Sequence, residues 1–271
     1  MQARPTDGPP GLRYTARHLA RRVRLVAVES RMAKRDPLAD YQRKRDFAAT
    51  PEPTGGRPKR GKPRRYCIQK HLASHLHYDF RLEHRGVLLS WAVPKGPSLD
   101  PRTKRLAMQV EDHPYDYGGF EGVIPSGYGA GIVMLWDTGT WTPEAEAEDV
   151  EAALAAGELK FSIAGVKLKG SWVLVKTHGR GERGWLLIKH RDAWASPDLD
   201  IEAAAPLSVT SGGDFADILA KNDPDFWQSD RPARGGAAGA LLAETVDQAA
   251  AIKAARKRKS AAARRTPQPA R

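Results

Sequence analysis

The most constraining feature of the chain is a strict alternation in Leu76-His77-Tyr78-Asp79-Phe80-Arg81-Leu82-Glu83. In an extended chain Leu76, Tyr78, Phe80 and Leu82 share one face, and His77, Asp79, Arg81 and Glu83 share the other. A helix would scatter the apolar groups around its axis. A strand buries them together, and a one-residue slip would turn all of them to water, so the register is fixed. Further short runs rich in β-branched and aromatic residues repeat the signal at 87–93, 106–110, 132–136, 159–163, 172–176 and 185–189. In this part of the chain one segment, 143–156, reads as a helix. Thr142 is its N-cap, Pro143 its first residue, Glu144 and Glu146 suit its N-terminal dipole, and Gly157 is its stop. The stretch Gly127-Tyr128-Gly129-Ala130-Gly131 lacks the Lys-Ser/Thr of a phosphate-binding loop and precedes a strand, so it reads as a tight turn. Many short strands with few helices predict a mainly β fold, an antiparallel barrel or sandwich.

Charge divides the chain. The net charge is +12 over 271 residues. Residues 1–65 alone carry +12 and residues 253–271 carry +8, which leaves −8 on the body between them. Two basic arms on a mildly acidic body suit a polyanion, because each Lys or Arg near a phosphate releases condensed counterions. The expected organisation is a basic N-terminal extension (1–39), an arm or linker rich in Pro, Gly and basic residues (40–65), a β domain (66–204), and an Ala/Lys/Arg-rich C-terminal extension (205–271). Tyr14 to Met32 is a candidate basic helix, Leu241 to Ala255 a second helix, and the final Arg-Arg-Thr-Pro-Gln-Pro-Ala-Arg is expected to be disordered. The single cysteine, Cys67, excludes an intrachain disulfide and a cysteine zinc site, and it suits a reducing compartment. No apolar run approaches the roughly 18 residues of a membrane helix, and the N-terminus has no signal-peptide core. The expected location is cytoplasmic and nucleoid-associated, with no membrane partner.

Five of the eight histidines fall between positions 71 and 113. On the polar face of the alternating strand, His77 and Asp79 lie two residues apart, a spacing at which an imidazole and a carboxylate converge on one metal ion. A third ligand must come from outside the strand, and His71 and His75 are both candidates. Arg81, next on the same face, is placed to hold the anion on which a metal acts. His113 and Tyr117 fall on a loop beside Gly118-Gly119, and Lys95 on a Pro-Lys-Gly turn. Cys67 reads as a buried, inert thiol. There is no Gly-x-Ser-x-Gly elbow and no Lys-x-Asp-Gly sequence for uptake of AMP.

Several ordered segments now resemble a known family: RKRDF (43–47), TPEP (50–53), QKHLASHLHYDFRLE (69–83), SWAVPKGPSLDP (90–101), EDHPYDYGGFEGVIP (111–125) and YGAGIVMLWDTGTW (128–141). They are similar to the 3′-phosphoesterase module of bacterial ATP-dependent DNA ligase D, over about residues 40–192. The resemblance implies a compact antiparallel β-barrel with a few flanking helices. It implies a manganese-dependent phosphodiesterase that removes a 3′-terminal ribonucleoside to leave a 3′-phosphate, and a phosphomonoesterase step to a 3′-hydroxyl, in non-homologous end joining. DNA primer-template 3′ ends are the implied substrate, and a separate ligase, polymerase or end-binding protein an implied partner. By the same resemblance His71, His77 and Asp79 match metal ligands, and Arg81 and His113 match groups on the scissile phosphate, with His113 protonated. Tyr117 matches a further essential side chain, Lys95 and Arg105 match basic residues tied to the monoester step, and Arg45, Asp46 and Glu52 match functional positions ahead of the barrel. Here the turn after Pro125 is one residue shorter than in the family, and no ligase or polymerase module accompanies the domain, which suits a stand-alone form.

Two other readings compete. His77, Asp79 and His113 or His178 also fit a two-histidine-one-carboxylate iron oxygenase, although a neighbouring arginine favours phosphate. A non-catalytic DNA-end binder that recruits a ligase through its arms is the other.

Overall fold

The computed structural model describes residues 36–55, 63–177, 179, 181–222, 228–229 and 236–265. The expected helix at 14–32, part of the linker (56–62), His178 and the last six positions lie outside the described residues.

The alternating segment forms strand β2 (Leu76–His84), hydrogen-bonded between β1 (Arg65–Leu72) and β3 (Val87–Val93). The sheet continues through β4 (Arg105–Gln109) and takes in the short β5 (His113–Pro114) and β6 (Gly122–Ile124) as side pairings, while β7 (Ser126–Gly127) pairs in parallel with Gln228–Ser229 in a separate two-stranded sheet. Then come β8 (Gly131–Pro143), β9 (Glu158–Gly165), β10 (Lys169–Lys176) and β11 (Gly184–Lys189). Neighbours run β1-β2-β3-β4-β11-β10-β9-β8, and β1 pairs back onto β8, so eight antiparallel strands close into a barrel. Closure leaves neither end of that circuit as an unpaired edge. Of the barrel or sandwich that the strand pattern allowed, the barrel, which the resemblance also implied, is the architecture observed.

The apolar face of β2 points inward. Tyr66, Phe80, Trp91, Trp136, Trp141, Phe161, Trp172 and Trp185 fill the interior, nearly all fully buried. Phe80 packs against Trp91 and Phe161 at ring-centroid distances of 6.3 and 5.7 Å. Such offset and tilted contacts add to the burial of large rings. Four of the indoles reach partners without leaving the core; Trp141 Nε1 donates to the Glu83 carbonyl at 3.0 Å and Trp185 Nε1 to Gln109 Oε1 at 3.1 Å. C-terminal to the strands, helix α4 (Phe215–Asn222) puts Phe215, Ile218 and Leu219 into the same core, and helix α5 (Gly236–Arg265) packs on α4.

The expected helix at 143–156 is shorter. Strand β8 runs through Thr142 to Pro143 because the buried Trp141 side chain and the pairing of Pro143 with Phe161 hold the chain extended. Helix α2 (Val150–Ala156) starts seven positions later. Its cap is Asp149, whose carboxylate accepts from the amides of Glu151 and Ala152, and Gly157 ends it at φ +85°. The 241–255 helix is longer than expected and reaches Arg265, so two positions of the expected disordered tail are helical. Between them helix α3 (Ile201–Ala204) is a single turn, and helix α1 (Ala39–Arg43) opens the described N-terminal segment.

Candidate active site

The polar face of β2 points outward from the barrel, yet it is buried. Asp79, Arg81 and Glu83 are each less than a tenth exposed. Two segments cover it. Residues 36–55 lay Tyr41 over the rings of His113 (5.1 Å) and Tyr117 (6.0 Å), and the 3-10 turn Tyr115–Gly119 brings Tyr117 beside Leu88 of β3. His113 and Tyr117, expected on a loop, are thus held on β5 and on this turn, at 4% and 3% exposure. Under this cover lies a cavity of about 530 Å³, lined by His71, His77, Asp79, Arg81, His113, Tyr117 and Arg45 among others.

At one side His71, His77 and Asp79 present one ligand atom each within 4.8 Å of one another. The β1–β2 hairpin makes this cluster, because its register sets His71 directly opposite His77. Sequence spacing had left His71 and His75 open. His75 is exposed, and its carbonyl accepts from His77 Nδ1 at 3.0 Å, which leaves His77 Nε2 with its lone pair 3.7 Å from Asp79 Oδ1. His71 Nδ1 is 3.7 Å from Asp79 Oδ2, while its buried Nε2 has no hydrogen-bond partner among the described residues. Burial alone would raise the Asp79 carboxyl, but Arg81, His77 and His71 hold it well below the usual carboxylate range. An ionised carboxylate beside two imidazoles, one with an orphaned nitrogen, is a donor set that fits a divalent transition metal.

At the other side are cations. Arg81 Nη2 lies 3.2 Å from Asp79 Oδ2; its Nε donates to Gln69 Oε1 at 2.8 Å and its Nη1 to Ser90 Oγ at 2.7 Å. Gln69 in turn donates to the carbonyls of Tyr117 and Phe120, both at 2.9 Å, which fixes the covering turn to β1. His113 sits between two guanidiniums, with Arg81 Nη1 2.8 Å from Nδ1 and Arg45 Nη2 3.2 Å from Nε2. A neutral imidazole has one lone pair and cannot accept from both, so the site carries more donors than its own acceptors use. Burial first, then Arg81 and Arg45, push His113 well below the ordinary histidine range. That environment favours the neutral ring, and an anion placed between the two guanidiniums would favour the protonated one.

Arg45 enters from residues 36–55. Its Nε donates to Glu52 at 2.9 Å and its Nη1 to Glu111 at 3.3 Å, both buried pairs, and Lys44 joins Glu111 at 2.9 Å. Glu52 thus meets the cavity wall at Arg45. Asp46 is exposed and caps the adjacent turn by accepting from the Ala48 amide at 3.0 Å. Lys95 is exposed on the turn after β3, and Arg105 opens β4 with its Nε buried and without a hydrogen-bond partner among the described residues; neither lines the cavity. Cys67 is buried on β1, its thiol pushed up to about 11 by that burial. Sequence reasoning passed over Gln69, Ser90 and Glu111. Gln69 had a readable signal, since it shares a strand face with His71; Glu111 had none, because its partners lie at 44 and 45.

With that geometry in hand, comparison with known proteins is specific. The family model for the DNA Ligase D 3′-phosphoesterase domain matches residues 69–176. The "Multifunctional non-homologous end joining protein LigD" of Pseudomonas aeruginosa is 50% identical over 214 residues, covering 77% of this chain and 25% of that protein. The protein of the same name from Mycobacterium bovis is 40% identical over 179 residues, covering 65% of this chain and 23% of that protein. The chain thus spans about a quarter of the length of these relatives. Among the described residues no helix is long and apolar enough to cross a membrane.

Proposed function

We propose, from the match of residues 69–176 to the family model for the DNA Ligase D 3′-phosphoesterase domain, that the chain is a metal-dependent phosphoester hydrolase acting on DNA 3′ ends during break repair. The observation that carries this reading is the side-by-side placement of the His71–His77–Asp79 cluster and the Arg81–His113–Arg45 donors in one cavity. Cleavage of a phosphoester needs a cation that polarises phosphorus and fixed donors for the charge that builds on its oxygens, and the two halves of the cavity answer those two needs.

His71, His77 and Asp79 would hold the ion. Manganese is our assignment, on the likeness to the family, since two imidazoles and a carboxylate suit several divalent transition metals. A bound ion of this kind neutralises a phosphate oxygen and lowers the pKa of water. Arg81, already tied to Asp79, Gln69 and Ser90, reaches the phosphate with little reorganisation. His113 takes up a proton as the phosphate enters, and then serves as a charged donor to the developing oxyanion. Glu52 and Glu111 hold Arg45 toward the cavity. Removal of a 3′-terminal ribonucleoside, then of the 3′-phosphate, is the reaction sequence proposed, with Lys95 and Arg105 serving the second step.

The test is a labelled primer-template ending in one 3′-ribonucleotide, incubated with Mn²⁺, with EDTA and Asp79→Ala as controls. Metal-dependent shortening to a 3′-phosphate and then to a 3′-hydroxyl is expected. Equal turnover by Asp79→Ala would sink the assignment. Tight binding without any cleavage would instead favour an end-binding module that recruits a separate ligase or polymerase. The feature that supports that second reading is the basic end of α5, where residues 253–259 carry five Lys/Arg and no acid. Truncation of 253–271 is expected to weaken duplex binding and flatten its salt dependence under either reading.

A further inference from the structure

The tyrosine rings at the cavity differ in burial. Tyr41, Tyr117 and His113 are at most 4% exposed, whereas Tyr128 is 48% exposed and also lines the cavity. It stands on the turn between β7 and β8, where the Ala130 amide donates to the Gly127 carbonyl at 3.2 Å. Its neighbours Gly127 and Gly129 have φ of +79° and +81°, and a Cβ added to either would meet nothing within 4 Å. The two positions that flank the ring in the chain thus carry no side chain of their own. Two cations flank it: the Lys44 ammonium is 4.6 Å from the ring centroid and the Arg45 guanidinium 5.9 Å. A half-exposed aromatic ring costs hydrophobic burial that the fold does not recover. Its position, beside cations and at the entrance of an anion-holding cavity, is that of a stacking platform in proteins that grip single nucleotides.

We infer that Tyr128 forms a nucleobase subsite, on which the base of the 3′-terminal nucleotide stacks while its phosphate occupies the Arg81–His113–Arg45 pocket. This rests on the proposed action at nucleic-acid 3′ ends. The terminal base is the occupant because it has a stacking neighbour on one side only and leaves the duplex at the lowest cost. Lys44, over the ring, then lies beside the backbone of the same strand. Stacking on a π-face is tolerant of base identity, so the subsite senses that a base is present rather than which one.

The experiment compares two primer-templates that differ only at the 3′-terminal ribose, one bearing adenine and one abasic. Affinity is read by fluorescence anisotropy in EDTA, and kcat/KM in Mn²⁺. The wild-type chain is expected to prefer the base-bearing strand by roughly ten-fold or more. Tyr128→Ala should bring that ratio close to one, while Tyr128→Phe and Tyr128→Trp keep it. Loss of the Lys44 contact weakens both strands alike, so the ratio isolates stacking. The position is glycine-flanked and half exposed, and a thermal melt checks that each variant folds. A ratio unchanged in Tyr128→Ala, or a wild-type chain indifferent to the base, overturns the subsite. A ratio that behaves as expected in EDTA with no turnover in Mn²⁺ overturns the hydrolase reading and leaves the subsite standing.

Discussion

Strand β2 buries both of its faces, and the two are buried for opposite reasons. Inward, Tyr78, Phe80 and Leu82 join an aromatic core whose packing holds the barrel together. Outward, Asp79 and Arg81 are as hidden as core residues, yet they meet ions and hydrogen bonds, under a cover drawn from residues 36–55 and 113–120. Burial on the first face stabilises the fold through apolar area. Burial on the second lowers the local dielectric, which strengthens whatever charge interaction the cavity makes and also makes an unpaired group there costly. One strand thus separates what keeps the molecule folded from what it does.

That separation can be broken at either face. The largest effects come from the pair Phe80→Ala and His77→Ala. Phe80→Ala is expected to cost about 3–5 kcal/mol in urea unfolding. His77→Ala, at the partly exposed end of the outer face, should lower turnover by about a thousand-fold or more and change stability by less than about 1 kcal/mol. A His77→Ala chain as destabilised as Phe80→Ala would show that the two faces are one cooperative core. Glu52→Gln comes next. It leaves the buried Arg45 with one carboxylate, Glu111, in place of two. The expected result is faster hydrogen exchange in 36–55 with the barrel strands unchanged, and a fall in turnover of about ten-fold or more; equal exchange in both would refute a separately held cover.

The smallest effect is a pH dependence. Burial, with help from Glu111, raises the Asp112 carboxyl to about 6. The folded state then holds its proton more tightly than the unfolded chain, whose value is about 3.9. This favours folding below about pH 4 and is lost as pH rises through 6. Asp112→Asn should therefore match the wild type at pH 3.5 and exceed it by about 1–2 kcal/mol at pH 8, a figure reduced for the partial exposure of the group. A variant gain that is equal at both pH values would place the cost elsewhere than in ionisation.

Much of the inward face was legible in the sequence, because alternation is local. Val87–Val93 is a strand with the bounds its composition suggested, and Gly157 ends its helix as expected. Where local rules misled, a distant anchor prevailed: Thr142-Pro143 has the form of a helix start, but Trp141, seated in the core, keeps that stretch in β8. The outward face was legible only in part. His77, Asp79 and Arg81 share it by period two, and His71 joins them through hairpin register, which no spacing rule distinguishes from a contribution by His75. That the face is covered at all depends on Tyr41, Arg45 and Glu111 meeting across long stretches of chain, and such meetings leave no periodic trace.

The β1–β2 hairpin has a consequence for the order in which the site is assembled. His71, His77 and Asp79 all lie between positions 71 and 79, so forming their cluster closes only one tight loop, an event of microseconds. Arg45 and His113 must be delivered from far along the chain, after loop-closure entropy has been overcome. A partly folded chain can therefore own the His71–His77–Asp79 half of the cavity before the Arg45–His113 half exists. An ion that binds such a chain stabilises the native state by less than its native affinity suggests, because it rewards the precursor too.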